Sequence, residues 1–394
     1  MRNRNFLPYL VGNTLSGTGT WFQILAQSIV IYDLTGSTFL LGVVGFASYG
    51  AVFLLAPVTG RVADRYDRQK VLMATQLIAT LVTGVLCLVT ATGEQTPAVI
   101  ICFAFVLGIS NAFATPAAMA FVPSLVQQSY LSAALALNSV TYNLGRAVGP
   151  VLAAVVIASF GPAWAFGINS LSYLAVVAAL LMVHPLSPHR RPDVVPRLMD
   201  SVRIVLHDRR LAFLLYTIAA ISLATDPPIT LGPAYMVEEY GHAASLAGLL
   251  IGAFGTGAVI AAFTVAHRLR GTRVTLMVLL LVTGVGLAFF AVVPGLGLGL
   301  AGLAVMGFGY LSSNTAATSQ LQLGVDPLHR GRMMVLWSLA FLGARPVGSL
   351  IDGSIAAWAG VRVATLVMCL PALGGAAVLF VVGLRGRRYA QAPR

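Results

Sequence analysis

Residues 60–70 of this 394-residue chain read Gly60-Arg-Val-Ala-Asp64-Arg65-Tyr-Asp67-Arg68-Gln-Lys70, a basic segment between the apolar runs 37–59 and 71–93. Arginine also collects before the first apolar run and after the sixth, eighth, tenth and twelfth. The gaps between these carry mainly acidic residues: Asp33, Glu94, Glu238 and Glu239, with a single Arg362. Basic residues in alternate loops mark the cytoplasmic side of a polytopic membrane protein. We therefore predict a multi-pass protein of the bacterial inner membrane with both termini in the cytoplasm.

The composition excludes several other classes of protein. Hydrophobic residues make up 58% of the chain and charged residues 9%, too few to cover the surface of a soluble domain of this length. The net charge of +12 is spread over short gaps, so we expect contact with lipid headgroups and no nucleic-acid binding. The three cysteines lie inside apolar runs, and no Walker loop, nucleophile elbow or zinc-ligand spacing occurs. We predict no enzyme activity, no metal and no cofactor.

The apolar runs predict twelve membrane-spanning helices, because a helix needs about 20 apolar residues to cross the hydrocarbon. The predicted spans are 7–32, 37–59, 71–93, 97–125, 132–160, 162–183, 211–237, 243–267, 274–293, 296–323, 333–359 and 361–384. They divide the chain into an N-terminal half (1–184), a linker (185–210) and a C-terminal half (211–394). Apolar residues recur at helical spacing from Val195 to Val205, which predicts an amphipathic linker helix on the inner membrane surface.

The two halves resemble each other in sequence. Residues 139–149 align without gaps to residues 338–348, and the alignment places Arg146 opposite Arg345. Arginine within a span is rare, so two at equivalent places indicate duplication. The fold class is therefore all-α integral membrane, with twelve transmembrane helices in two pseudo-symmetric six-helix halves, an arrangement found in secondary transporters.

The segment quoted first resembles the signature loop of the major facilitator superfamily: Gly60, then Ala-Asp64-Arg65, then the basic residues Arg68 and Lys70. The family usually has glycine where Asp67 stands. The resemblance implies a gating loop in which Asp64 accepts hydrogen bonds from the start of span 11 while the inner mouth is closed. An alternative is a loop that only sets topology, with Asp64 paired to a nearby arginine.

On span 5, Gly145-Arg-Ala-Val-Gly149-Pro150 resembles the antiporter motif of the superfamily's exporters, although Ala153-Ala154 replaces the following glycine pair. Close helix packing through small residues is the alternative reading of this motif. The whole chain is similar to the branch that contains multidrug, macrolide and enterobactin exporters. Membership implies a substrate path between the two halves.

Four ionisable residues are predicted well inside spans: Arg146, Asp226, Arg345 and Asp352. Such residues are costly in a membrane and normally face a cavity or a partner. Pro227 and Pro228 follow Asp226 and predict a break in span 7. Arginine does not release its proton, so Asp226 is the best candidate for proton coupling. The alternative is a structural ion pair of Asp226 with an arginine, and Asp352 is a candidate partner or mouth residue.

Span 1 carries one polar stripe, and polar side chains also occur on spans 4 and 10. In lipid such side chains must face protein or water, so we expect them to line a substrate cavity. The candidate cavity residues are Asn13, Thr20, Gln23, Gln27, Asn111 and Asn314. Trp21, Tyr49, Phe113 and Trp337 are candidates for ligand contact or for plain helix packing.

These observations predict a monomeric secondary transporter that exports an amphipathic small molecule in exchange for protons. Three alternatives share the fold: an uptake carrier, an uncoupled facilitator and a lysophospholipid flippase. A non-transporting membrane sensor is the alternative from a different class.

Overall fold

The computed structural model describes residues 5–186, 203, 205, 207–265, 272–325 and 330–390. Its regular structure within these ranges is entirely helical. Nine spans are uninterrupted helices, namely Phe6–Thr35, Arg68–Ala91, Pro97–Leu125, Leu131–Phe160, Pro162–Met182, Ala247–Thr264, Arg273–Val292, Leu296–Leu323 and Val361–Ala390. These are spans 1, 3, 4, 5, 6, 8, 9, 10 and 12 below. The predicted amphipathic linker helix lies almost wholly outside the described residues.

The three remaining spans are interrupted. Span 2 consists of Thr38–Leu54 and Ala56–Arg65, and span 11 of Arg330–Leu342 and Ala344–Ala359. Span 7 consists of Arg209–Ala224, Pro227–Thr230, Gly232–Ala234 and Tyr235–Glu239. The predicted break at Asp226-Pro-Pro is therefore confirmed, because two successive prolines remove the backbone donors that would continue the helix.

One expectation about the segment at 60–70 is wrong. It was expected to be a loop, but residues 60–65 form the end of span 2, and only Tyr66 and Asp67 separate that helix from span 3. Asp67 caps span 3, because its carboxylate accepts hydrogen bonds from the backbone amides of Gln69 at 2.8 Å and Lys70 at 3.2 Å. The side chains of Gly60 and Asp64 lie outside the described residues.

Equivalent glycines turn the chain at the same place in each half. Gly161 joins spans 5 and 6, Gly360 joins spans 11 and 12, and both have a φ of +88°. This backbone conformation favours glycine because it has no Cβ. We call the bundle face with residues 5 and 186 the linker face, and the face with Gly161 and Gly360 the far face.

The two halves contact each other closely through their far-face portions. A Cβ on Gly42 of span 2 would lie 2.3 Å from the carbonyl oxygen of Ser349 on span 11. A Cβ on Gly248 of span 8 would lie 2.1 Å from the carbonyl oxygen of Pro150 on span 5. At the end of span 1, the Tyr32 hydroxyl donates a 2.7 Å hydrogen bond to Glu238. The bundle is therefore closed at its far face.

Candidate transport site

Two carboxyl groups face each other in the C-terminal half, close to the junction with the N-terminal half. Asp226 lies at the break of span 7 and Asp352 on span 11, and their relative exposures are 2% and 0%. The two carboxyl groups are within hydrogen-bonding range of each other. Two ionised carboxylates cannot hydrogen bond to each other, and their like charges repel strongly in a buried site. The geometry therefore fits a pair that shares a proton.

The surroundings of the two carboxyl groups differ. The charge of Arg345 acts on Asp226, the hydroxyl of Ser349 lies nearby, and the hydroxyl of Thr230 donates to its Oδ2 at 3.0 Å. Asp352 has the backbone amide of Gly353 nearby, but no hydroxyl, amide or guanidinium side chain of the described residues donates to either of its oxygens. Asp226 is thus the better stabilised of the two as an anion.

Arg345 joins this pair to the N-terminal half. It is buried, and its guanidinium carbon lies 5.0 Å from the ring centre of Tyr49 on span 2 and 5.7 Å from that of Phe341 on span 11. A cation over aromatic faces is stabilised by the ring quadrupoles. Asp226, Asp352 and Arg345 therefore form one buried charge group. We call it the acidic triad after its two carboxyl groups.

Arg146 on span 5 lies in a different environment. Its guanidinium carbon is 4.6 Å from the ring centre of Phe254, 4.7 Å from that of Tyr310 and 5.9 Å from that of Trp21. Its Nη1 donates a 2.8 Å hydrogen bond to the Tyr310 hydroxyl. Trp21 belongs to the N-terminal half, while Phe254 and Tyr310 belong to spans 8 and 10. This aromatic cage, defined by Arg146 and the three rings, therefore bridges the two halves.

Aromatic rings connect the cage to the acidic triad. The ring centres of Tyr310 and Phe341 are 6.4 Å apart, and Trp337 stacks on Phe341 at 5.1 Å. The indole of Trp337 donates a 2.8 Å hydrogen bond to Thr318 on span 10. The two mid-membrane arginines thus lie at either end of a continuous aromatic surface.

The polar stripe of span 1 divides between two sets of neighbours. Asn13 donates to Asn138 of span 5 at 3.1 Å, and Thr20 donates to the carbonyl of Ser16 on its own helix at 2.8 Å. Gln23 accepts a 2.6 Å hydrogen bond from Asn169 of span 6 and is buried. In this conformation the Gln23 side chain therefore packs between spans 1 and 6.

Gln27 lies next to the acidic triad. It is 1% exposed and lines a cavity of about 20 Å³, together with Ser48, Tyr49 and Thr230. That volume is enough for one water molecule. The Nε2 of Gln27 has no hydrogen-bond partner among the described residues, so it is a free donor beside this cavity.

The candidates on spans 4 and 10 differ in exposure. Asn111 is exposed in the middle of span 4 and accepts a 3.1 Å hydrogen bond from Thr115, while Asn314 on span 10 is partly exposed. On span 1, the side chains from Trp21 to Tyr32 are buried except for the partly exposed Ile24. Towards the linker face, Asn13 is partly exposed. An exposed amide within a membrane span requires water or protein beside it, which indicates an opening on the linker side of Trp21.

The predicted gating segment is only partly visible. Arg65 and Lys70 are exposed, and Arg68 donates from Nη1 to the carbonyl of Ala120 on span 4 at 3.0 Å. Arg68 therefore holds the start of span 3 against the end of span 4. The predicted contact of Asp64 with the start of span 11 falls on side chains outside the described residues, so it stays a prediction.

Comparison with known proteins identifies the family. Residues 1–393 match the transmembrane secretion effector family of the major facilitator superfamily. The chain is a member of this family. It is 27% identical over 341 residues to an enterobactin exporter of Salmonella choleraesuis. The aligned region covers 84% of this chain and 81% of that protein. An enterobactin exporter of Shigella boydii is 26% identical over 337 residues, 84% of this chain and 80% of that protein.

Solved structures support the same fold. An inward-facing, unoccupied bacterial homologue of the human lysosomal transporter Spinster superposes with a TM-score of 0.75 at 14% identity, over 95% of both chains. An inward-facing bacterial homologue of the iron transporter ferroportin gives a TM-score of 0.71 at 17% identity, over 96% of this chain and 99% of that one. This secretion effector family member is thus a multi-pass membrane transporter with the predicted major facilitator fold, and it is not an enzyme.

The antiporter-like motif of this secretion effector lies at two helix contacts. A Cβ on Gly145 would be 3.3 Å from the hydroxyl of Thr18, and one on Gly149 would be 3.0 Å from the Cβ of Trp21. Both glycines therefore allow span 5 to pack closely against span 1. Pro150 contributes its carbonyl to the contact with Gly248 on span 8, so the motif also reaches the other half.

Several residues of the site were missed by the sequence analysis. Tyr310, Phe254 and Phe341 are aromatic residues within apolar spans, and only their positions beside the arginines distinguish them. Thr230 follows Asp226 by four residues on the same helix face, a spacing that could have identified it as a hydrogen-bond donor. Asn169 is a lone amide in span 6 and could have been recognised as a partner for the span 1 stripe.

Proposed function

We propose that this protein exports an amphipathic, siderophore-like small molecule across the bacterial inner membrane by alternating access, in exchange for protons. The observation that carries the proposal is the match to enterobactin exporters along 84% of the chain. The buried charges at the junction of the halves support it, because a transporter that rocks its halves must place its binding and coupling groups there. Such groups are costly in a membrane and are retained for function.

The orientation of the protein in the membrane follows from the distribution of its basic residues. Basic residues dominate the gaps on the linker face, so this face is cytoplasmic and both termini are inside. The far face then faces the periplasm, and its closure makes the present conformation inward-open. The arginines of the linker face contact anionic lipid headgroups. The protein works as a monomer, because each chain holds both halves of the site.

Proton coupling is assigned to the pair Asp226 and Asp352. Arg345, Ser349 and Thr230 favour the ionised form of Asp226. Asp352, which faces that anion, holds the proton and donates a hydrogen bond to Asp226. Loss of the proton would leave two carboxylates in contact, and the repulsion would separate spans 7 and 11 until the site is hydrated. The cavity beside Gln27 and Thr230 provides room for a water molecule that delivers the proton.

The conformational cycle uses the contacts between the halves. In the inward-open state, spans 2 and 11 and spans 5 and 8 touch through glycines in their far-face portions. These contacts must separate when the far face opens. Asp64 and its basic neighbours Arg65, Arg68 and Lys70 would then close the linker face, as the family resemblance implies. The opening beside Asn111 and Asn314 forms the substrate path.

Transport in inverted membrane vesicles tests the function. Enterobactin and a lipophilic fluorescent dye are offered to vesicles with an imposed pH gradient, acid inside. We expect uptake of at least one of them that rises with the gradient and collapses when a protonophore dissipates it. Asp352→Asn and Asp226→Asn should remove the response to the gradient while downhill flux remains. Asp33→Asn, at an exposed acid beside the far face, is the matched control and should behave as wild type.

Other outcomes would select the alternatives. Flux that ignores the gradient indicates an uncoupled facilitator, and flux only in the opposite direction indicates an uptake carrier. Movement of a labelled lysophospholipid between leaflets without dye transport indicates a flippase. The absence of transport for every solute would contradict the proposal and favour a membrane sensor.

A further inference from the structure

The buried charges of the two halves are not equally balanced. The charge of Arg345 acts on the carboxyl group of Asp226, whereas no carboxylate of the described residues lies within ion-pair distance of Arg146. Arg146 is 2% exposed, and among the described residues the Tyr310 hydroxyl is the one hydrogen-bond partner of its guanidinium. Its Nε and Nη2 are buried and have no acceptor among the described residues. The duplication therefore placed an arginine at the same depth in both halves, and among the described residues a carboxyl group interacts with Arg345 but not with Arg146.

A buried guanidinium without a carboxylate partner is energetically costly inside a membrane protein. Burial removes its hydration, and the aromatic rings of the cage restore only part of that loss. Two planar N–H donors without acceptors are the groups that a carboxylate or phenolate oxygen binds best. The side chains of Trp21, Phe254 and Tyr310 surround the guanidinium and are themselves buried, so their ring faces meet an aromatic group only when the two halves move apart.

The location of the cage also fits a ligand. Trp21 marks the level on span 1 at which side chains change from partly exposed to buried. The cage contains Trp21 and Arg146 from one half and Phe254 and Tyr310 from the other. A group bound there would contact both halves, so its binding would affect the position of both.

We propose that the aromatic cage binds an anionic oxygen group carried on an aromatic ring, so that the substrate provides the counter-charge that Arg146 lacks. The inference rests on the proposed export function, because it identifies the substrate class as aromatic acids. In the absence of substrate, Tyr310 occupies one donor of Arg146 and the rings cover the others. An incoming carboxylate or phenolate binds Nε and Nη2 and places its ring against Trp21 and Phe254.

Binding of a matched pair of probes tests the inference without any transport assay. The full-length protein in lipid nanodiscs is titrated calorimetrically with 1-naphthoate, which is anionic, and with 1-naphthalenemethanol, which has the same rings but no charge. We expect wild type to bind 1-naphthoate about tenfold more tightly or better, as charge-assisted hydrogen bonds predict. Equal affinities for the two probes would overturn the inference.

Variants locate the preference. Arg146→Gln should abolish it, so that 1-naphthoate and 1-naphthalenemethanol bind this variant with affinities within about twofold of each other. Arg362→Gln is the matched control, because it removes the same charge from an arginine that is paired with Glu239 near the far face. It should keep the full preference. An Arg146→Gln protein that still prefers the acid would contradict the assignment.

Two further variants guard against a folding failure of Arg146→Gln. Arg146→Lys keeps the charge but loses the planar pair of donors, so the preference should fall about threefold or more. Tyr310→Phe keeps the ring and frees Nη1, so the preference should be maintained or increased. An unchanged preference in Arg146→Lys, or its loss in Tyr310→Phe, would overturn the inference.

The outcomes separate this inference from the proposed function. If 1-naphthoate is preferred through Arg146 but no solute is exported, the site stands and the export function fails. If a solute is exported and neither probe is distinguished, the export function stands and the anionic site is rejected.

Discussion

The closure of the far face depends on a glycine contact that a single methyl group should break. Gly42 of span 2 approaches span 11 so closely that an added Cβ would lie 2.3 Å from the carbonyl oxygen of Ser349 and 3.1 Å from the Cα of Gly353. A carbon and an oxygen normally approach to about 3.3 Å. In Gly42→Ala the two spans must therefore separate by about 1 Å in the closed state.

The magnitude follows from the cost of overpacking. Adding a carbon to a tightly packed contact typically costs about 1–3 kcal/mol. The contact is absent when the far face is open, so the cost applies only to the closed state. The equilibrium should therefore shift towards the far-face-open state by about 5- to 150-fold.

Labelling of a buried cysteine measures the shift. Val44→Cys, in a protein without its three native cysteines, places a small reporter on span 2 where the side chain is 4% exposed. A membrane-impermeant maleimide added from the far face should label it about 5-fold faster or more in Gly42→Ala. Gly50→Ala on the same helix is the control, because its added Cβ meets Phe46 at an ordinary 3.4 Å.

Labelling of folded Gly42→Ala protein at the wild-type rate, or an equal acceleration in Gly50→Ala, would show that the Gly42 contact does not hold the far face closed. Thermal unfolding in detergent establishes that each variant is folded. Gly353→Ala provides an independent check from the other side of the contact, since its Cβ would lie 2.8 Å from the Cα of Gly42. It should shift labelling in the same direction.

Three further predictions follow from the contacts described. Asp226→Asn should lower the melting temperature more than Asp352→Asn, because the charge of Arg345 acts on Asp226 and the Thr230 hydroxyl donates a hydrogen bond to it. Thermal unfolding of both purified variants compares them. Tyr32→Phe removes the 2.7 Å hydrogen bond between spans 1 and 7. A loss of about 1 kcal/mol should speed reporter labelling about fivefold, and an unchanged rate would show that this bond does not hold the far face closed. Gly307→Ala should prevent accumulation of folded protein, because its Cβ would lie 1.9 Å from a backbone carbonyl of span 8. Gly297→Ala on the same span is the control, because its Cβ would meet nothing within 4 Å, and this variant should accumulate normally. Membrane immunoblots measure the amount of each protein.

Some features of the site could be read from residue type and spacing. Asp226 followed by two prolines predicted the break in span 7, and the helix does end at Ala224. The aligned arginines predicted equivalent mid-span positions, and both are buried. These predictions succeeded because helix geometry fixes the depth of a residue along its span, and proline acts on its own backbone.

Other features needed the neighbours of each helix. The stripe on span 1 predicted that Gln23 and Gln27 line one cavity. Gln23 instead accepts a hydrogen bond from Asn169 of span 6 and donates to Gln27 at 3.5 Å, while Gln27 lies beside Thr230 and the acidic triad. A stripe is wide enough to touch more than one neighbouring helix, and the sequence does not say where each neighbour begins.

The sequence by itself determined that the chain spans the membrane repeatedly, that its halves are duplicated, and that four charges lie deep in the bundle. The spans and the depth of the charges depend on the residues of one helix at a time, and the duplication is read by aligning two segments of the sequence. Only the tertiary structure decided which charges meet: Asp226 with Asp352 and Arg345, and Arg146 with rings from the other half. Partnership depends on the rotation and tilt of packed helices, which are set by close contacts between residues far apart in sequence, such as Gly42 and Ser349.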